Sequence, residues 1–171
     1  MRGLAALAVF LLLAGPVLAG PAAPVVSPLL QSFVAGVLCS PQVTGSREAP
    51  GTLKGVVMDI AGTPRIVAAR QQLPAVIGLS MGITFDVRTD LLGVELRSWR
   101  PGRDEPEAWT GDFFAGSPNY NGFSFDTSDE LVTGIWRFEA WKGPLLLYRV
   151  EFEVLSPQAM PGLADLCQAT S

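Results

Sequence analysis

The stretch GIWRFEAWKGPLLLYRVEFEVL, residues 134–155, decides the fold. Trp136, Phe138 and Ala140 alternate with Arg137 and Glu139. After the Gly143-Pro144 break, Leu146, Tyr148, Val150, Phe152 and Val154 alternate with Leu147, Arg149, Glu151 and Glu153. A period of two sets one face into a core and the other into water, as in a half-buried antiparallel hairpin. Two registers keep the same residues inward, one facing Arg137 with Arg149 and the other facing Arg137 with Glu151 and Glu139 with Arg149. Opposed unlike charges stabilise a pair by roughly 0.2–1 kcal/mol whereas like charges destabilise it. The second register is therefore expected, around a turn at Gly143-Pro144-Leu145.

The same alternation recurs upstream. Val56, Met58 and Ile60 precede a turn at Ala61 to Pro64, and Ile66 to Arg70 resumes an extended run. Ile83, Phe85 and Val87 alternate with Thr84, Asp86 and Arg88, and Leu92, Val94 and Leu96 alternate with Gly93, Glu95 and Arg97. Phe123 and Phe125 flank Ser124. Eighteen glycines and fourteen prolines punctuate these runs and no long amphipathic helix appears. Short alternating strands at regular turn spacing describe an all-β antiparallel sandwich or barrel. Leu29 to Cys39 is apolar but too short for its period to separate strand from helix.

The chain is 171 residues long with 12 Lys+Arg, 16 Asp+Glu, two cysteines and no histidine. A formal charge of −4 leaves no basic footprint for nucleic acid. Without histidine, no Ser-His-Asp or Cys-His machinery and no imidazole metal ligand is available. Met1-Arg2, the apolar run Leu4 to Leu13, and Val17-Leu18-Ala19 with small residues before Gly20 have the layout of a secretory signal peptide. Residues 1–19 are read as that signal, cleaved after Ala19, which makes the protein periplasmic or secreted with no membrane span after signal removal. Roughly 150 residues remain, one domain's length. Residues 20–32 read as a Pro/Ala-rich linker and 33–50 as an N-terminal segment with Cys39. Residues 51–156 read as the sandwich and 157–171 as a tail with Cys167. In an oxidising compartment, Cys39 and Cys167 have a single intramolecular pairing, a staple across the domain.

Several motifs look like chemistry. Gly78-Leu79-Ser80-Met81-Gly82 matches G-x-S-x-G, but a nucleophile elbow needs a preceding strand, a following helix and a histidine. A strand-like run follows instead, so these residues are read as structural, and a Ser-Lys dyad with Lys54 or Lys142 has no spacing in its favour. Asp104, Glu105 and Glu107 form one carboxylate cluster; Asp126, Asp129 and Glu130 form another. Paired carboxylates serve glycoside hydrolysis or calcium binding, yet neither cluster follows a calcium-loop spacing. The second reads as a corner turn bonded to its own backbone. Arg100 to Asn121 reads as a long loop carrying Trp109, Phe113, Phe114 and Tyr120. Loops of that length in a compact domain are uncommon and are usually functional or wrongly assigned. These aromatics either contact a ligand or partner, or fold back to plug the open end of the core, which is preferred.

Phe123-Ser-Phe-Asp126, Asp129-Glu-Leu-Val132, Gly134-Ile-Trp-Arg-Phe-Glu139 and Tyr148-Arg-Val-Glu-Phe-Glu-Val154 together resemble an uncharacterised family of small exported bacterial proteins, a domain of unknown function. Gly51-Thr52, Leu73-Pro74-Ala75, Gly78 to Gly82 and the two cysteines fit the same pattern, so the likeness covers about Phe33 to Cys167. It implies an immunoglobulin-like Greek-key β-sandwich and carries no activity, cofactor, metal or catalytic residue. The expectation is thus a non-catalytic exported module that binds an unidentified protein or cell-envelope ligand. Alternatives are a small carboxylate-dependent hydrolase acting on envelope glycan, or a periplasmic assembly module offering an unpaired sheet edge.

Overall fold

Trp136, Phe138 and Ala140 on one strand and Tyr148, Val150, Phe152 and Val154 on the next are buried together in the computed structural model, which describes residues 20–167. The signal-peptide reading of residues 1–19 lies outside the described residues. The strands run β1 (Val25–Val26), β2 (Leu30–Cys39), β3 (Val43–Glu48), β4 (Val56–Ile60), β5 (Ile66–Ala68) and β6 (Gln72–Pro74). They continue as β7 (Leu79–Val87), β8 (Leu91–Trp99), β9 (Glu107–Phe113), β10 (Asn119–Ser124), β11 (Gly134–Lys142) and β12 (Leu145–Leu155). A six-stranded sheet has the order β1-β12-β11-β8-β9, with β6 also on β12, and a four-stranded sheet has the order β10-β7-β2-β5. The chain crosses between the two sheets from β1 to β2, β5 to β6, β6 to β7, β7 to β8, β9 to β10 and β10 to β11. Strands β3 and β4 form a separate two-stranded sheet.

The core is the space between the sheets. Met81, Ile83, Phe85 and Val87 of β7 meet Val94 and Leu96 of β8 and the inward residues of β11 and β12. Phe85 lies 5.6 Å from Tyr148 and 4.7 Å edge-on to Phe113, while Trp136 lies 4.9 Å from Phe123. Such offset and edge-on pairs add to the stabilisation from buried area.

The expected hairpin register is present, with Arg137 opposite Glu151 and Glu139 opposite Arg149. Two details differ. The turn is the two residues Gly143-Pro144, with Gly143 at φ +55°, and the ladder then shifts by one residue so that Trp141 meets Leu146 and Lys142 meets Leu145. The extra residue of this bulge is Leu147, which is fully buried beside Tyr148, whereas Leu146 is only half-buried. The outer face also departs from the simple alternation. Glu139 is 3% exposed, because Arg149 Nε (2.6 Å) and Trp141 Nε1 (2.8 Å) donate to it and Arg137 Nε lies 3.4 Å away. Arg137 in turn stacks 3.9 Å above Trp99 instead of pairing with Glu151.

The sandwich draws on residues outside 51–156. Val25-Val26 pairs with Tyr148-Arg149, and β2 is central in its sheet between β7 and β5. A bulge in β2 with Ser32 at φ +48° interrupts the side-chain alternation there, which is why its period was unreadable. The Arg100–Asn121 stretch is not one long loop: Glu107–Phe113 is the edge strand β9 and Asn119 opens β10. Gly111 removes a side chain from the middle of the inward series Trp109, Gly111, Phe113 and so hides the period of two.

Cys39 and Cys167 are bonded across a sequence separation of 128, with a short helix (Pro161–Ala164) leading into Cys167. Replacing both by serine is expected to lower stability by roughly 3–5 kcal/mol on the chain-entropy account, read as a drop in the urea midpoint. Glu139→Ala is expected to cost about 2–3 kcal/mol, because it strands the donors now satisfied by that carboxylate; Glu139→Ala unfolding at the wild-type midpoint would contradict this.

Candidate functional site

The β3–β4 hairpin is an arm. Rooted just after Cys39, it reaches across the side of the sandwich where β9 and β10 end the two sheets, and three contacts hold its tip. Gly51 carbonyl accepts from the Ala108 amide at 3.0 Å, Leu53 amide donates to Glu107 Oε2 at 3.1 Å, and Lys54 pairs with buried Glu130. The first contact requires glycine, since a Cβ at Gly51 would stand 2.1 Å from the Ala108 carbonyl oxygen.

Between arm and sandwich lies a cleft of about 680 Å³, within the range of ligand sites. Its walls are two runs of consecutive residues, Val56 to Ile60 on the arm and Ser117 to Ser124 through β10. Leu96, Trp109 and Phe138 form its deep wall. Trp109, Phe113, Phe114 and Tyr120 all line this cleft, but they do not make one exposed patch. Phe113 is 3% exposed and belongs to the core, Trp109 packs half-buried against that core, and Phe114 is 50% exposed. Tyr120 lies across Gly82 and Gly122, so close that a Cβ at Gly122 would stand 2.3 Å from its hydroxyl oxygen. Burial and the nearby Asp126 push that hydroxyl's pKa far up, so it stays protonated. The exposed apolar residues Val43, Leu53 and Met58 of the arm line the cleft as well. Alternation made Val56 to Ile60 look like an ordinary core strand. No pattern in one strand states which sheet it joins.

The other motifs resolve as structural features. Ser80 is fully buried in β7, donating to Ser124 Oγ at 2.7 Å and lying 3.3 Å from Ser40 Oγ, and no helix follows it. Among the described residues no group of three His, Cys, Asp or Glu is arranged to hold a metal, and no helix is long and apolar enough to cross a membrane. Asp126 to Glu130 is a corner turn: Glu130 Oε2 accepts the Asp126 and Thr127 amides at 2.7 and 3.0 Å.

Burial alone would raise the Glu130 pKa, but Lys54 and those two amides outweigh it and hold the carboxyl below its ordinary value. Asp126 shifts the other way, raised by its partial burial and then by the Glu130 charge, against a smaller opposing pull from Lys54. A depressed carboxylate contributes stability that is complete above its unfolded pKa, near 4.5, and is lost as pH falls through the lower folded value. Asp126 works in the opposite sense and slightly favours the fold as it protonates. Glu130→Gln is therefore expected to be roughly 1–3 kcal/mol less stable than wild type at pH 7. That gap narrows at pH 3, which paired urea titrations at the two pH values measure.

No protein-family model and no curated protein matches the chain. Among solved structures it is similar to an immunoglobulin-like protein from Pseudomonas aeruginosa, at 16% identity and a TM-score of 0.52, over 78% of this chain and 98% of the other. That likeness concerns the fold. Together with the two facing antiparallel sheets, it makes this chain an immunoglobulin-like β-sandwich closed by the Cys39–Cys167 disulfide.

Proposed function

We propose that the protein is an exported, non-catalytic binding module whose site is the cleft between the β3–β4 arm and the β9–β10 side of the sandwich. The observation that carries this reading is the cleft itself: about 680 Å³, walled by two strands and floored by Leu96, Trp109 and Phe138. Val43, Leu53, Met58 and Phe114, all lining it, keep large apolar side chains in contact with water. Apolar surface gathered in a concave site and rimmed by charge is the usual form of a recognition surface. Export is supported by the signal-like N-terminus and by the disulfide, a bond that persists in oxidising compartments.

Two of the carboxylates in the cleft, Glu130 and Glu107, are taken up by structural contacts. Glu130 is buried, with one oxygen accepting two backbone amides and the other paired with Lys54, which commits it to holding the arm. Glu107 bonds the Leu53 amide and lies 4.0 Å from Arg100. These groups hold the arm to the sandwich.

In a capture experiment, the immobilised disulfide-bonded chain is exposed to native envelope extract. Phe114→Ala combined with Met58→Ala is expected to lose most of what wild type retains, with little change in melting temperature because both side chains are substantially exposed. Ile135→Ala, on the outer face of β11, retains it. Equal capture by the double variant and wild type would overturn the assignment of the cleft.

A further inference from the structure

We propose that the cleft takes an extended, lysine- or arginine-bearing segment of a partner protein as an added β-strand, inserted between the free edges of β10 and β4. The inference rests on the binding-module reading and names the class of ligand.

The two long walls of the cleft are strand edges. Strand β10 pairs only with β7 among the described residues, and β4 only with β3. The Phe125 amide and carbonyl both bond toward β7, to Leu79 carbonyl and Gly78 amide. Alternation along an antiparallel ladder then turns Asn121 and Phe123 toward β7, leaving the N–H and C=O of Tyr120, Gly122 and Ser124 facing away from it. On the arm, Ala49 amide bonds Gly55 carbonyl and Ala61 amide bonds Gln42 carbonyl. The same alternation aims Val57 and Asp59 at β3 and leaves Met58 and Ile60 facing outward. No hydrogen bond joins arm to β10 among the described residues; the cleft lies between them.

Natural sheets blunt their edges with lysine, proline or bulges. Strand β6 carries Pro74, and β9 carries Glu107 and Asp112. Strand β10, Asn-Tyr-Asn-Gly-Phe-Ser, has no charge and no proline. Its six residues span about 20 Å at roughly 3.3 Å per residue, enough for main-chain pairing by a short peptide.

Charge selects the occupant. The bases lining the cleft, Arg47, Lys54 and Arg100, each have an acidic partner there, in Asp59, Glu130 and Glu107. Asp112, Asp126 and Asp129 also line it and have no ion-pair partner among the described residues. This surplus of negative charge favours a cationic segment and disfavours an acidic one.

The test uses the disulfide-bonded chain and a labelled nonapeptide with a lysine at each end and alternating valine and threonine between. Three further probes accompany it: the same peptide with aspartates at the ends, its form N-methylated at every second amide, and the Asp126→Asn, Asp129→Asn protein. Saturable binding is expected by fluorescence anisotropy, with hydrogen-exchange protection of the Tyr120, Gly122, Ser124, Met58 and Ile60 amides. The N-methylated peptide, the aspartate peptide and the double variant each weaken binding by roughly tenfold or more. Equal binding of parent and N-methylated peptides, protection confined to other strands, or no saturable binding overturns strand addition. Self-association of the chain with protection of the same amides overturns it too, by making a second copy the occupant. If the peptide fails while Phe114→Ala with Met58→Ala still abolishes capture, the cleft remains a binding site and only its strand-like ligand is lost.

Discussion

The structure depends on the interlock of two inner faces around Trp136, Tyr148 and Phe85. Each side chain is buried to within 1%, and full burial of a large apolar side chain contributes roughly 1.5–3 kcal/mol. Two of the three also carry a polar atom that must be satisfied inside. Trp136 Nε1 donates to the Val132 carbonyl at 2.8 Å, which pins the chain entering β11. The Tyr148 hydroxyl accepts from Asn121 Nδ2 at 2.7 Å, which ties β12 of one sheet to β10 of the other. The same aromatics that fill the core thus position the edge strand that walls the cleft. The ladder to β7 fixes β10 within its own sheet, and the Asn121 amide fixes it against the other.

Much of this architecture was legible in the sequence because its central strands bury one face cleanly. Strands β7, β8, β11 and β12 show the period of two, and Arg137, Glu139, Arg149 and Glu151 sufficed to choose the hairpin register. What was not legible has identifiable causes. Gly111 erased the alternation of β9, the Ser32 bulge erased that of β2, and the insertion at Leu147 moved one buried position by one residue. The burial of Glu139 depends on Arg149 and Trp141 closing over it, a tertiary arrangement that local pattern does not encode. Trp109, Phe113, Phe114 and Tyr120 stood out as an aromatic cluster, and they do share one cleft. Its opposite wall is the arm, whose alternation of Val56, Met58 and Ile60 matches that of any buried strand.

The arm is held differently from the sandwich. Its strands pair with each other, and its tip meets the domain through one backbone hydrogen bond, one amide-to-carboxylate bond and the Lys54–Glu130 pair. Elements with few buried apolar contacts open at lower free energy than the core they rest on. Here the anchoring groups are mostly polar, in contrast to the apolar interlock that joins the two sheets.

The position of the sulfur bridge has a mechanical consequence. Tension between the chain before Cys39 and the chain after Cys167 passes through the covalent link, so the backbone between the two cysteines is not in series with it. The strands in series with it are β1 and β2, which pass load sideways to β12 and β7 through their ladders. Strand β2 pairs with β7 from Leu30 to Cys39 on either side of the bulge at Ser32, so a pull along its length loads several hydrogen bonds together instead of peeling them singly. The arm, which begins just after Cys39, branches off this line of force.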